Sequence, residues 1–331
     1  MAGDQPRDMA GDEAGGRAET LAAVGEFAVI DRLVAGRRQP GAVALGPGDD
    51  AAVVHAADGR TVVCTDMLVQ DRHFRLDWST PHQVGRKAIA QNAADIAAMG
   101  ARSTAFVVAF GAPADTPAAA ALALADGLWA EAQSLGAGIV GGDLVRAPNW
   151  VVSVTALGDL EGRPPVPRGG ARAGDVVAAV GQLGRSAAGY ALWRNGIKDF
   201  PALRERHLVP APPYRQGPVA ASSGATSMID VSDGLVADLG HVAESSAVGI
   251  DVFTDALAGD HAAVAPAAEV TGADAWSWVL GGGEDHALVA TFPGEPPPGW
   301  RVIGRVVDGP ARVLVDGVAW SGSAGWESFG D

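Results

Sequence analysis

The sequence predicts an α+β protein built as two domains, and three observations lead there. At 331 residues, 48% of them hydrophobic, the chain has enough apolar side chain for two cores. Up to about residue 160 its strand-like and helix-like runs follow the order β-β-α-β-α-β-β. That order mixes hairpins with crossovers, which argues for segregated layers more than a doubly wound sheet. The stretch Gly158–Gly174 (GDLEGRPPVPRGGARAG) is then crowded with Pro, Gly and Arg, the composition of a domain boundary. The expected division is a disordered lead-in over residues 1–22, an N-terminal domain over 23–160 and a C-terminal α/β domain over 161–331.

The lead-in is acidic and rich in Gly and Ala, without the basic-then-apolar order of a secretory signal. Gly25–Arg37 places Phe27, Ile30, Leu33 and Val34 on one helical stripe. Ala51–Val54 and Thr61–Thr65 read as a hairpin around the Asp58-Gly59 turn. Asp49 and Asp50 stand just before its first strand, and Asp66, Asp71 and His73 gather at the end of its second. Thr80-Pro81 opens a helix to about Gly100, with Thr as N-cap and Pro at the first helical position. On this helix Val84, Ala88, Asn92, Asp95 and Met99 share a stripe beside Ile89, Ala93 and Ile96, and Lys87 and Gln91 fall on the expected wet side. A carboxylate on the buried face needs a partner or gives up its charge. A bound cation and a buried Arg are equal candidates for that partner of Asp95.

Ser103–Phe110 reads as a strand, and Thr116-Pro117 as the cap of a second helix to about Leu135. Gly138–Val140 is a short strand running into Gly141-Gly142-Asp143, where bare backbone would let a ligand come close to an acid. Trp150–Leu157 closes this half as a strand.

Beyond the boundary come a strand at Asp175–Val180, helices at Ser186–Arg194 and Pro201–His207, and a proline-rich loop over Pro210–Gly224. In Ser227–Leu239 (SMIDVSDGLVADL), an extended Met228–Ser232 turns Asp230 and Ser232 one way and Ile229 and Val231 into the sheet. Asp233 and Gly234 then start a helix with the stripe Leu235, Leu239, Val242 and Ala243. Capping accounts for Ser232 or Asp233 but leaves Asp230 unexplained. A helix N-terminus beside acids also offers amide donors to a metal-bound phosphate. Gly249–Phe253 is a strand, Thr271–Leu280 a helix ended by Gly281–Asp285 (GGGED), and His286–Phe292, Arg301–Val307 and Arg312–Val315 are strands.

Composition removes several classes of function. A formal charge of −15 disfavours a surface for nucleic-acid backbones. It leaves room for a phosphate substrate, because a bound metal reverses the local sign. Cys64 is the single cysteine and lies in an apolar strand run, so a thiolate cluster is not expected and a small buried hydrophobe is. No run reaches the ~18–20 apolar residues of a membrane span, and a cytoplasmic protein is expected. The Walker phosphate loop, G-x-S-x-G, H-E-x-x-H and the protein-kinase signatures are absent. Asp49, Asp66, Asp95, Asp143, Asp230 and Asp233 are what remain. Aspartates without paired His or Cys suit Mg²⁺ better than Zn²⁺. Mg²⁺ on carboxylates in turn points to nucleotide polyphosphate chemistry.

The blocks GEF, GDDAAV, TDMLV-x-x-x-HF, NAADIAAMGA, IVGGD, IDVSDGL-x-x-DLGH and GGGED-x-x-L run in an order and spacing that resembles the thiamine-monophosphate kinase family. The similarity covers roughly residues 25 to 329. It implies the two-domain fold of the aminoimidazole ribonucleotide synthetase superfamily, and transfer of the γ-phosphoryl of ATP to thiamine phosphate to give thiamine diphosphate. By the same resemblance Asp49, Thr65, Asp66, Asp95, Asp143, Asp230 and Asp233 would hold several Mg²⁺ ions. Gly142, Asp143, Arg168 and Ser232 would contact ATP, His73, Glu284 and Trp326 would line the thiamine phosphate site, and the N-terminal sheets would pair in a homodimer. No general base is needed. The chain departs from the family at Leu144, where Thr is common, and at GWESF, where an aromatic residue followed by Asp-His-Phe is frequent. Another synthetase of the superfamily and a non-catalytic divalent-cation scaffold are the competing readings.

Overall fold

A computed structural model describes residues 19–47, 51–322 and 325. Two helices, α1 (Leu21–Val24) and α2 (Glu26–Val34), lead to a ribbon of β1 (Val43–Leu45) and β2 (Val53–Val54). The rest of the N-terminal half is β3 (Val62–Val69), α3 (Pro81–Ala98), β4 (Arg102–Ala112), α4 (Ala118–Ser134), β5 (Gly138–Arg146) and β6 (Val151–Asp159). The expected hairpin is therefore wrong: β2 pairs with β1, and β3 pairs antiparallel with β6 from Val62↔Gly158 to Val69↔Val151. A two-residue β2 cannot match a strand as long as β3, whereas β6 satisfies it from end to end. The sheet order is β3-β6-β4-β5, with β4 and β5 parallel. Gly141, Gly142 and Asp143 lie inside β5 and not in a turn after it.

Helix α3 begins as its sequence predicts. Thr80 Oγ1 accepts from Gln83 N at 3.3 Å, and Gln83 Oε1 accepts from Thr80 N at 2.9 Å, with Pro81 between them. Thr116 does not cap α4; its Oγ1 accepts from the Trp150 indole at 3.4 Å. The two helices touch backbone to backbone at Gly85 and Gly127. A Cβ on Gly127 would lie 1.9 Å from the His82 carbonyl oxygen, and one on Gly85 2.2 Å from that of Leu124. Gly127→Ala should consequently lose about 1–3 kcal/mol in urea unfolding through overpacking, despite the ~1 kcal/mol that Ala normally gains over Gly in a helix. Unchanged stability would mean that α3 and α4 can separate freely.

The C-terminal half contains β7 (Val176–Val180), α5 (Arg185–Arg194), α6 (Pro201–Leu208), α7 (Gln216–Ser222), β8 (Ser227–Asp230) and α8 (Leu235–Ser246). It continues with β9 (Gly249–Val252), α9 (Ala258–Thr271), α10 (Ala275–Gly281), β10 (Leu288–Phe292), β11 (Arg301–Val307), β12 (Arg312–Val315) and β13 (Val318–Ala319). The strands form one sheet in the order β13-β12-β9-β11-β7-β10-β8. Two expectations fail here. Helix α7 lies in the stretch read as loop, and Thr271 ends the unforeseen α9, the following helix starting only at Ala275. Prolines hide both: Pro210, Pro212, Pro213 and Pro218 make the stretch of α7 read as loop, and Pro266 sits inside α9, where an interior proline normally argues against a helix.

The halves meet along α3. One side of it covers the N-terminal sheet through Val84, Ala88, Ile89 and Ile96, in a core with Phe106, Leu124 and Val154. Its C-terminal Ala97 and Ala98 are buried with Met228, Leu288, Ala290 and Phe292 of the other half. This shared helix positions the site.

Candidate active site

On β3 the side chains alternate. Val63, Thr65 and Met67 are exposed on the outer face, while Cys64, Asp66 and Leu68 turn inward to α3. Asp66 thus sits mid-strand, not at a strand end. Because β3 is an edge strand, its Asp66 N–H is free of the ladder and donates to Asn92 Oδ1 at 3.0 Å. Asn92 in turn donates to Ala88 O at 2.9 Å. The Asp66 carboxyl lies beside Asp95 and Gln91, so Gln91 borders the site and is not simply wet. Cys64 is more than filler: its thiol donates to Asn92 O at 3.3 Å and touches Asp95. Burial and then the Asp95 charge push that thiol well up, which keeps it neutral.

From the other half, Asp230 ends β8 at 3% exposure, with Oδ2 3.0 Å from His286 Nδ1. Asp66, Asp95 and Asp230 therefore converge from both halves, close enough for each charge to act on the others. Burial, followed by Asp230 and Asp66, pushes Asp95 up to about 7. Burial also raises Asp66, with Asp230 adding to it against the opposing His286. His286 faces all three acids. Burial alone would lower its imidazole, but Asp230, Glu284 and Asp95 outweigh that and raise it. Its backbone, like that of Glu284, is left-handed, with φ of 51° and 62°. Such conformations cost energy in non-glycine residues and persist only where surroundings impose them.

Neither Ser232 nor Asp233 caps α8. Asp238 does so from within, its Oδ2 accepting from Asp233 N at 3.1 Å and Gly234 N at 3.0 Å. That leaves the half-buried Asp233 carboxyl available. Asp233, Asp238 and His241 offer ligand atoms within 4.8 Å of one another. Burial raises Asp233 and the Asp230 charge adds to the shift, while His241, His286 and then Arg168 oppose it. The Ser232 carbonyl accepts from Glu284 N at 2.7 Å, tying the SDG turn to the GGGED loop.

A second group lies on the seam. Glu284 Oε1 is 2.8 Å from Lys87 Nζ, and its Oε2 is 3.4 Å from His207 Nδ1. Burial acts to raise the Glu284 carboxyl, but Lys87 and His207 bring it down to about 2. His207 itself is lowered to about 4 by burial and Lys87, which makes it neutral near pH 7. His73 Nδ1 accepts from Val69 N at 3.0 Å, leaving Nε2 to carry the proton. Lys87, expected in water, is 2% exposed. The expectation fails because α3 is wedged between two halves and has little wet side to offer.

Two of the sequence-derived residues point elsewhere. Met67, Ser153, Ala109 and Asp143 form one register row, so Asp143 shares the outer face with Thr65, opposite to Asp66. Thr65 Oγ1 donates to Val154 O at 2.9 Å. The bareness of Gly142 serves β4, since a Cβ there would lie 1.9 Å from Val108 O. Asp49 and Trp326 lie outside the described residues. Lys87, His207, His286, Asn92 and Asp238 were not among the site residues expected from sequence, although Asn92 was placed on the buried stripe of α3 and Lys87 on its wet side. Lone polar residues inside helical or loop patterns give no periodic signal.

Residues 48–160 match the family described as AIR synthase related protein, N-terminal domain, and residues 172–316 match its C-terminal domain counterpart. A thiamine-monophosphate kinase from Mycobacterium tuberculosis is 71% identical over 312 residues, spanning 94% of each chain. The chain belongs to the thiamine-monophosphate kinase family. A second member, from Corynebacterium glutamicum, is 44% identical over 94% of this chain and 95% of its own. Among solved structures, AaThiL complexed with AMPPCP and TMP superposes with a TM-score of 0.76 at 30% identity, covering 92% of this chain and 97% of that one. A thiamine-monophosphate kinase from Stenotrophomonas maltophilia gives 0.74 at 32% identity, covering 88% and 95%. Membership of this kinase family and the fold expected from the sequence stand together.

Proposed function

We infer that this chain transfers the γ-phosphoryl group of ATP to thiamine monophosphate, giving thiamine diphosphate and ADP. The observation that supports this most is the meeting of Asp66, Asp95 and Asp230 across the seam, in a chain of that kinase family. Three oxygen-donor groups, two of them raised by burial and then by their neighbours' charge, make a good fit for hard divalent cations. We assign Mg²⁺ to Asp66, Asp95, Asp230 and Asp233, with Asp49 joining them from outside the described residues. Mg²⁺ bound there would neutralise charge and align the two phosphates.

The chain's own residues do the rest. The acceptor is a phosphate oxygen, already largely ionised at neutral pH given a second pKa of about 6, so no strong base is required. Its difficulty is meeting a second polyanion. Ser232, the amides opening α8 and Arg168 are assigned to ATP; Gly142 and Asp143, on the far edge strand of the N-terminal sheet, keep that assignment only through a second copy of the chain. Glu284, kept ionised, presents negative charge to a cationic thiazolium, and His73 offers its Nε2–H to the acceptor. Trp326 keeps its assignment to the acceptor from outside the described residues.

Thr65 and Asp143 find a role if the outer face of the N-terminal sheet is covered. That face exposes Val63 at 57%, Met67 at 51%, Val107 at 38% and Val145 at 51%. We propose that the same face of a second copy covers it in a homodimer, enclosing Thr65 and Asp143 between the sheets. The functional halves divide near residue 160 on this reading, and the enzyme works in the cytoplasm, where ATP is supplied. No helix among the described residues is long and apolar enough to cross a membrane.

Mass spectrometry after incubation with ATP, Mg²⁺ and a panel of phosphorylated acceptors tests the reaction. Thiamine diphosphate is the expected product; its absence, or ATP consumed only with another acceptor, would overturn the assignment. His73→Ala should raise the KM for thiamine monophosphate by about tenfold, the cost of one lost hydrogen bond to a charged group. The KM for ATP should change little; the reverse order would mean that the two subsites are exchanged.

A further inference from the structure

Lys87 joins the two acceptor-side residues. Its Nζ donates to the His73 carbonyl at 2.9 Å and lies 2.8 Å from Glu284 Oε1. His73 belongs to the N-terminal half and Glu284 to the C-terminal half, so one ammonium holds a point of each. Neither residue has much freedom left. The His73 ring is fixed by Val69 N, and Glu284 is fixed by Ser232 O at its amide, His207 at its other oxygen and a left-handed backbone. His207 is in turn 3.2 Å from Ser186 Oγ at the start of α5. A compact ammonium with three donors suits two oxygens arriving from different directions, where a flat guanidinium fork would not.

We propose that Lys87 is the positioning residue of the acceptor site, setting the separation and direction of Glu284 and His73 so that thiamine monophosphate meets a preformed carboxylate and imidazole. This rests on the acceptor role given above to His73 and Glu284. Lys87 does not touch the acceptor; it acts through the residues that do.

The test is steady-state kinetics on the full chain with ATP, Mg²⁺ and thiamine monophosphate, comparing the parent with K87M, E284Q and K87M/E284Q, each checked by thermal unfolding. K87M should raise the acceptor KM by about tenfold or more while the ATP KM stays within about twofold, the range expected for contacting residues that act as a unit. In the E284Q background only the His73 carbonyl, in a residue whose ring Val69 N already fixes, is left for Lys87 to set, and removing Lys87 should change the acceptor KM by less than about threefold. An unchanged acceptor KM in K87M, with only kcat or Tm lowered, would reduce Lys87 to a bolt between the halves and overturn the proposal. So would a double variant in which the two KM losses multiply. K87M leaves a charged Glu284 without its cation; if that variant does not fold, K87M/E284Q against E284Q decides the matter alone. A parent protein that does not turn over thiamine monophosphate would instead sink the function on which the proposal rests, a result distinct from every variant outcome.

Discussion

Asp95→Asn should yield a folded protein whose turnover is lower by a factor on the order of 10³ or more, the scale seen when one preorganised electrostatic group is removed from a phosphoryl-transfer or oxyanion site. Asn keeps the shape that α3 presents to Asp66 and Cys64, so the loss falls on cation binding and not on packing. Stability should move in the opposite direction. In the metal-free fold, burial and the charges of Asp230 and Asp66 disfavour ionised Asp95. A neutral amide escapes that penalty, so the Tm without metal at pH 8 should equal or exceed the parent's. A D95N protein with near-normal turnover would remove Asp95 from the site. One that is inactive because it is unfolded would show that Asp95 is structural.

The same electrostatics predicts how divalent cations stabilise the protein as pH changes. Asp95 has a folded-state value of about 7 against 3.8 in the unfolded chain, and Asp66 is raised as well. Between those limits the folded state binds more protons than the unfolded one. The metal-free protein therefore keeps this contribution to stability below about pH 4 and loses it as pH rises through about 7. Cation binding needs the carboxylates deprotonated and strengthens over the same interval. Millimolar Mg²⁺ or Mn²⁺ should thus raise Tm by several degrees at pH 8 and hardly at all at pH 5.5. Asp238 and Asp285, both raised to about 7, tilt the baseline the same way, so the metal-induced increment is the quantity to read. Equal increments at both pH values would contradict a carboxylate site with these raised values.

Much of this was legible in the chain. Thr80-Pro81 and Gln83 announced α3 down to its capping box, and the spacing of Asn92 and Asp95 against Ile89, Ala93 and Ile96 put a carboxylate on a buried face. Asp230 stood out because helix capping could not explain it. What was illegible has physical causes. Periodicity assumes one wet side, and α3 lies between two bodies, so Lys87 was assigned to solvent. Strand alternation shows that Thr65 and Asp66 point apart, but not which direction holds the metal or what covers the other. The pairing of β3 depended on β6, 90 residues away along the sequence at Thr65↔Thr155, and no local signal marks such a partner. Prolines around α7 and inside α9 argue against both locally, and burial of Ala220, Val264 and Ala267 shows tertiary packing overriding that preference.

Anomalous diffraction from crystals grown with Mn²⁺ and a non-hydrolysable ATP analogue would test the central claim most directly. Manganese peaks bridging the carboxylates of Asp66, Asp95 and Asp230, next to the analogue's terminal phosphate, are the expected result. Peaks confined to other carboxylates, with Asp230 still bonded to His286, would contradict it.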